Sequence, residues 1–215
     1  MICWSCEKNA GEGMLCSGCG AVQPPDPSVD HFRVLGVERK FDLDLADLEQ
    51  RYKELTKIVH PDRFARADSR ARMASLERTV QLNQAWRTLS QPVARAEYLL
   101  SLGGIEIGEG SDNQRTDRVA SRVTQPVDTA LLMEVMEMRE ALAEARTSGD
   151  SARMAELTAE VQTRHDKEMV QVAAEFSKAQ PDLTAITTRL SSVRFYRRFL
   201  EEAQVSRESD DGETT

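Results

Sequence analysis

The chain has no long apolar run: nowhere in its 215 residues does an uninterrupted stretch approach the roughly 18 residues of a membrane-spanning helix. A secretory leader is missing as well, because Met1-Ile2-Cys3-Trp4 opens without a basic segment and a following apolar stretch. No Arg-rich, acid-poor transit segment stands in its place. These absences point to a soluble intracellular protein, and the direct Cys-rich start favours the bacterial cytoplasm over an imported precursor, with the mitochondrial matrix as the organellar alternative. Excess positive charge is absent too: 28 Lys and Arg face 36 Asp and Glu, for a net charge of −8 and an isoelectric point near 5.1. That balance argues against a dedicated nucleic-acid binder and leaves room only for a local basic patch.

Catalytic constellations are also lacking. No glycine-rich loop is placed to cradle phosphate, no nucleophile stands beside a base, and no two carboxylates are spaced to work as a pair. His31 and His165 are isolated, and His165 lies near a helical apolar stripe, where it reads as a packed residue. The expectation is a protein that is not an enzyme. There is no internal repeat and no convincing strand outside the cysteine segment, so the fold class is mainly α.

All the cysteine lies in residues 1–23, as two matched pairs, Cys3-x-x-Cys6 and Cys16-x-x-Cys19, with nine residues between them. Each pair brings two sulfurs within reach of one ion, and Gly18 and Gly20 permit a tight backbone around the second pair. Four thiolates suit the closed tetrahedral preference of zinc. A segment this short cannot bury enough apolar surface to fold alone, whereas structural zinc supplies about 10–16 kcal/mol in small peptides. The expectation is a zinc knuckle with one structural ion on Cys3, Cys6, Cys16 and Cys19, and no open position for catalysis. Disulfides, a redox pair and an iron–sulfur centre are the alternatives, the first disfavoured by an intracellular setting.

Residues 24–102 read as a helical unit entered through a stiff connector, Pro24-Pro25-Asp26-Pro27. Leu48, Tyr52, Leu55 and Val59 fall on one stripe of a helix, with Lys53 and Lys57 opposite. Pro61 cannot continue that helix and biases His60 away from helical angles, so the helix ends there. A second run carries Leu82, Trp86 and Leu89 at helical spacing. Two antiparallel helices with His60-Pro61-Asp62 at the tip resemble a J-domain. So do the flanks: Tyr52-Lys53, Arg63-Phe64, Asn83-Gln84-Ala85-Trp86-Arg87-Thr88-Leu89, and Asp30-His31-Phe32-Arg33-Val34-Leu35-Gly36-Val37 as a short first helix. The resemblance implies stimulation of ATP hydrolysis by a DnaK-type chaperone, which His60, Pro61 and Asp62 would engage. Arg51, Lys53, Lys57 and Arg63 would supply a basic face that speeds encounter with an acidic chaperone surface.

Gly103-Gly104 closes this unit, and residues 103–127 read as a polar linker. Residues 128–205 read as a three-helix bundle, with helices at about 128–147, 151–178 and 181–204, the last opened by Pro181. The acidic tail, residues 206–215, is expected to be disordered. In the first helix Leu131, Val135, Met138 and Leu142 make an ordinary core stripe, yet Leu132, Met133 and Met136 are surplus to it, edged by Glu137, Arg139 and Glu140. In the last helix Leu183, Ile186, Leu190, Val193 and Leu200 make the core stripe, while Phe195 and Phe199 project away from it. An apolar patch with a charged rim marks a protein-binding surface, and methionines adapt to a partner. Burial against another part of the chain is the alternative.

Ala94-Arg95-Ala96-Glu97-Tyr98-Leu99-Leu100-Ser101-Leu102 and Asp128-Thr129-Ala130-Leu131-Leu132-Met133-Glu134-Val135-Met136-Glu137-Met138-Arg139-Glu140 resemble the HscB co-chaperones of iron–sulfur cluster assembly. That resemblance spans the J-like unit and the bundle. It implies that the bundle holds the scaffold protein IscU and that the J-domain brings it to the chaperone HscA. Leu132, Met133, Met136, Glu137, Arg139, Glu140 and Phe195 would be the scaffold contacts. The cysteine module, with the Gln23-Pro24-Pro25-Asp26-Pro27 that follows, is similar to the N-terminal extension of animal members and is missing from shorter bacterial ones. Gly110–Thr124 is longer than the family's usual connection. A general J-domain adaptor for another client, a zinc-knuckle nucleic-acid regulator and a thiol redox sensor are the rival readings.

Overall fold

A computed structural model describes residues 1–107, 121–123 and 129–211 of the chain. Two compact units emerge, Met1–Arg95 and Ala96–Thr215, and the boundary falls inside a helix, Pro92–Leu102.

The first unit starts with the cysteine module, two short loops each closed by one antiparallel bridge, Ile2 to Asn9 and Leu15 to Val22. Helix α1 (His31–Leu35) is capped by Asp30, whose carboxylate accepts from the Arg33 N–H, and it ends at Gly36 with φ 67°. Only a residue without Cβ takes that left-handed angle at no steric cost. Helix α2 (Leu45–Val59) is capped by Asp44, which accepts from the amides of Ala46 and Asp47. Helix α3 (Ser69–Ser90) is capped by Asp68, which accepts from the Ala71 amide. The two long helices run antiparallel: the Tyr52 hydroxyl donates to Asn83 Oδ1 at 2.8 Å, and the Ser75 hydroxyl donates to the Val59 carbonyl at 2.6 Å. Leu48 and Val59 from α2, Leu82 and Leu89 from α3, and Phe32 and Leu35 from α1 are fully buried. Trp86 is half-buried rather than central. Burial of six such side chains at about 1.5–3 kcal/mol each gives the unit its main stabilisation.

Helix α4 (Pro92–Leu102) ends where the paired glycines stop it, Gly104 having φ 82°. In the second unit, strand β1 (Ile105–Ile107) pairs in parallel with β2 (Ser121–Val123), in the register Ile105 to Ser121 and Ile107 to Val123. The sequence reads this region as linker because three-residue strands are too short to show a period of two. The remainder of Gly110–Thr124 lies outside the described residues, as do residues 212–215 of the tail. Helices α5 (Thr129–Thr147), α6 (Ser151–Phe176) and α7 (Leu183–Asp211) follow. Gly149 (φ 69°) turns the chain between α5 and α6, and Asp150 caps α6 by accepting from the Arg153 amide. Asp182, not Pro181, opens α7: its carboxylate accepts from the amides of Thr184 and Ala185.

The bundle core joins Val135, Met138 and Leu142 of α5 to Met154, Leu157 and Val161 of α6 and to Tyr196, Phe199 and Ala203 of α7. Phe199 corrects the sequence reading, being fully buried in this core rather than facing away. The reason is local. From Val193 the buried positions advance in steps of three, to Tyr196 and Phe199, and each such step turns the stripe back by about 60°. The apolar arc of α7 therefore swings away from the straight stripe that would have continued to Leu200. Among the described residues, no helix is long and apolar enough to cross a membrane.

Candidate functional site

The four cysteine sulfurs lie within 4.8 Å of one another. Cys3 Sγ is 3.6 Å from Cys19 Sγ, and Cys6 Sγ is 3.8 Å from Cys16 Sγ. A disulfide would need about 2.05 Å, whereas four sulfurs at about 2.3 Å from a shared ion stand on tetrahedron edges of about 3.8 Å. The donor set therefore fits a metal ion. Each knuckle repeats one geometry: the Ser5 amide donates to Cys3 Sγ at 3.3 Å, and the Gly18 amide donates to Cys16 Sγ at 3.4 Å. The residue after each second cysteine is left-handed, Gly20 at φ 73° and Glu7 at φ 59°. Gly18, singled out by sequence, needs no positive φ.

Electrostatics point the same way. Burial resists ionisation of the Cys3 thiol, but the Cys6 and Ser5 amides and the neighbouring sulfurs outweigh it and lower its pKa to about 6. At Cys6 the Lys8 amide favours the thiolate, yet burial and the three other sulfurs prevail and raise the pKa to about 11. Four adjacent thiolates repel one another. A cation among them removes that penalty.

Two residues that sequence reasoning missed complete this centre. Gln23, 1% exposed, donates its side-chain amide to Cys3 Sγ at 3.3 Å and to the Ala21 carbonyl at 2.8 Å. Arg78 of α3 donates Nε to the Gln23 carbonyl at 2.9 Å and Nη2 to the Pro24 carbonyl at 3.0 Å. Trp4 donates its indole N–H to the Val22 carbonyl at 2.7 Å, and the Arg70 guanidinium lies over its ring. The module is thus docked on α3. One signal was available: Arg78 occupies the buried phase of α3, between Ser75 and Leu82.

At the far end of α2, His60 leaves helical geometry (ψ 132°) and Pro61 begins a short turn of 3-10 helix, Pro61–Phe64. His60 Nδ1 accepts from the Asp62 amide at 3.3 Å, which puts the proton of a neutral ring on Nε2. The Asp62 side chain is 91% exposed. Arg63 donates to the Lys57 carbonyl at 3.0 Å and so satisfies a helix-end acceptor. Lys53 and Lys57 share the exposed face of α2, with Lys53 paired to Glu49 at 2.7 Å. Arg51 stands apart from them. It binds Asp47 at 2.8 Å and the Gly36 carbonyl at 3.0 Å, which ties α2 to the end of α1.

On α5, Leu132, Met133 and Met136 are exposed at 41%, 59% and 55%. Glu137, Arg139 and Glu140 are exposed around them, and Arg139 pairs with Glu202 of α7 at 3.2 Å. Phe195 differs from these, being half-buried against the bundle core. Glu134 and Arg164 form an ion pair that ties α5 to α6 below this face. His165 is mostly buried and bonded to Asp166.

Two family profiles match the chain: the DnaJ domain over residues 30–98, and the HSCB C-terminal oligomerisation domain over residues 127–204. The mouse iron–sulfur cluster co-chaperone protein HscB is 32% identical over 95% of this chain and 82% of its own length. The human protein of the same name is 31% identical over the same shares. The crystal structure of human co-chaperone protein HscB superposes with a TM-score of 0.82 at 31% identity, covering 96% of this chain and 98% of that one. Chaperone HscB from Vibrio cholerae superposes with a TM-score of 0.70 at 28% identity, over 84% of this chain and 99% of that one.

Proposed function

The chain belongs to the HscB family of iron–sulfur cluster co-chaperones, and we propose that it binds an IscU-type scaffold protein and stimulates ATP hydrolysis by an HscA/DnaK-type chaperone. One observation carries this reading: a solvent-exposed His60-Pro61-Asp62 turn and an exposed methionine-rich face on α5 occur in a single polypeptide. Asp62 offers a carboxylate acceptor that is 91% exposed, suited to a charge-assisted bond with a cationic group of the chaperone. Lys53 and Lys57, with Arg51 and Arg63 at the margins, raise the encounter rate with an acidic surface.

Leu132, Met133 and Met136 provide apolar area for the scaffold, with Glu137, Arg139 and Glu140 as its charged rim and Phe195 at its edge. Holding both partners on one chain raises their effective concentration toward each other. The chemistry of hydrolysis and of cluster transfer belongs to those partners. The resident ion of the tetracysteine site is zinc in this reading, closed by four protein ligands and structural. The working compartment is the bacterial cytoplasm, or the mitochondrial matrix in an organellar setting.

Asp62→Ala should abolish stimulation of chaperone ATPase activity while scaffold binding persists. Leu132→Ala with Met136→Ala should weaken IscU binding at an unchanged melting temperature. Full stimulation by Asp62→Ala refutes the J-domain mechanism. Undiminished IscU affinity in the double variant assigns the α5 face to another client.

A further inference from the structure

We propose that metal binding at the cysteine module is energetically coupled to the α2–α3 hairpin, with Gln23 positioning the Cys3 sulfur and Arg78 carrying the coupling into α3. The inference rests on a metal held by the four cysteines and is independent of which chaperone or scaffold is served.

The module has little core of its own: Cys3, Ala10 and Cys16 are its buried centre, with Cys6 and Ala21 packed against them. Without an ion such a segment does not hold its fold. Its outer face is nonetheless built into the first unit. Gln23 is buried, and its two ends serve different masters. The side-chain amide reaches Cys3 Sγ, while the backbone carbonyl accepts from Arg78 Nε. Arg78 is itself 9% exposed and also donates Nη2 to the Pro24 carbonyl and Nη1 to Gln81 Oε1. A guanidinium in that position is satisfied only while residues 23 and 24 keep their geometry. Arg70 over the Trp4 ring, at 5.1 Å, makes a second contact from the same helix.

The hairpin side of the coupling is equally specific. Ser75, one turn before Arg78 on the buried face of α3, donates to the carbonyl of Val59, the residue before His60. Loss of the ion would release residues 23 and 24, free Arg78, and loosen the part of α3 that supports the base of the His60–Asp62 turn. Linkage makes the relation reciprocal: whatever the ion adds to the ordered state of α3, that ordered state adds to ion affinity, with Arg78 as the contact between them.

The experiment uses the full chain as wild type, Arg78→Met and Gln23→Leu. Zinc affinity is measured against a chromophoric chelator, and amide exchange across α3 is measured with zinc bound and after chelation. Cobalt-substituted protein reports the sulfur environment through its thiolate charge-transfer band. Arg78→Met should weaken zinc binding roughly fivefold or more with that band unmoved, since Arg78 touches no sulfur. Gln23→Leu should shift the band and cost about 10–100-fold in affinity. Chelation should speed exchange in the first half of α3 of the wild type, and Arg78→Met should erase the difference. Wild-type zinc affinity in Arg78→Met, or exchange in α3 indifferent to zinc, overturns the coupling. If Arg78→Met fails to fold, the wild-type comparison decides alone. A wild type that binds no zinc refutes the metal reading instead, which separates the two failures.

Discussion

Tyr52 of α2 lies against Trp86 of α3 with ring centroids 5.2 Å apart and planes inclined by 17°, while the Tyr52 hydroxyl donates to Asn83 one turn away. Stacking and the hydrogen bond pin the two helices at the same height. Tyr52→Phe should keep the stack and lose about 0.5–1.5 kcal/mol. Tyr52→Ala should lose both and cost about 3 kcal/mol or more. Equal losses in urea unfolding of the two variants would show that the ring contact contributes nothing.

Phe199 and Met133 are both apolar residues of the bundle, one fully buried and the other 59% exposed. Phe199→Ala opens a cavity between three helices and should cost about 3–5 kcal/mol. Met133→Ala should stay within about 0.5 kcal/mol of wild type. Thermal melts followed by circular dichroism separate them.

Glu7 holds a left-handed backbone angle that Gly20 holds in the matching position of the other knuckle. Gly20→Ala meets no atom within 4 Å of its new Cβ, so its cost is backbone strain alone, about 1–2 kcal/mol of metal-bound stability. Glu7→Gly relieves that strain and returns part of the gain as chain entropy. Zinc competition should therefore show weaker binding for Gly20→Ala and slightly tighter binding for Glu7→Gly.

Asp30 caps α1 and pairs with Arg39 at 2.5 Å. Burial opposes its ionisation, but the Arg33 amide and the Arg39 guanidinium prevail and hold its pKa below the ordinary 3.8. A carboxylate with a depressed folded pKa contributes stability that is complete above its unfolded value and is lost as pH falls through the folded one. Asp30→Asn, which can still cap, should flatten the acid limb of stability below about pH 4. Asp30→Ala should cost about 1 kcal/mol at neutral pH. Denaturant titrations at several pH values give both slopes.

Much of this organisation was legible in the residues. Matched cysteine pairs predicted the four-sulfur cluster because metal-ligand spacing is a local property. The exposed positions of Leu132, Met133 and Met136 followed from their phase on α5. The left-handed stop at Gly104 followed from a glycine pair after an apolar stripe.

What escaped was non-local. The partner of Gln23 lies 55 residues away at Arg78, and no periodicity announces a carbonyl clamp. The pairing of Ile105–Ile107 with Ser121–Val123 is too brief to show alternation. Phe199 was misplaced because a stripe advancing by threes rotates, and a straight extrapolation from Val193 leads to Leu200 instead. Arg51 looked like one more surface cation until its bond to the Gly36 carbonyl gave it an internal task.

Arg78 follows Gln23 in the chain by that same interval of 55 residues, which has a consequence for biogenesis. At about 5–20 residues per second, a ribosome takes roughly 3–11 s to travel from one to the other. For that time the nascent cysteines have no helix to rest on, so whichever ion they capture is taken without help from the rest of the molecule. The metal site therefore forms first with the affinity of the isolated segment, and the contact with Arg78 adds to that affinity only afterwards.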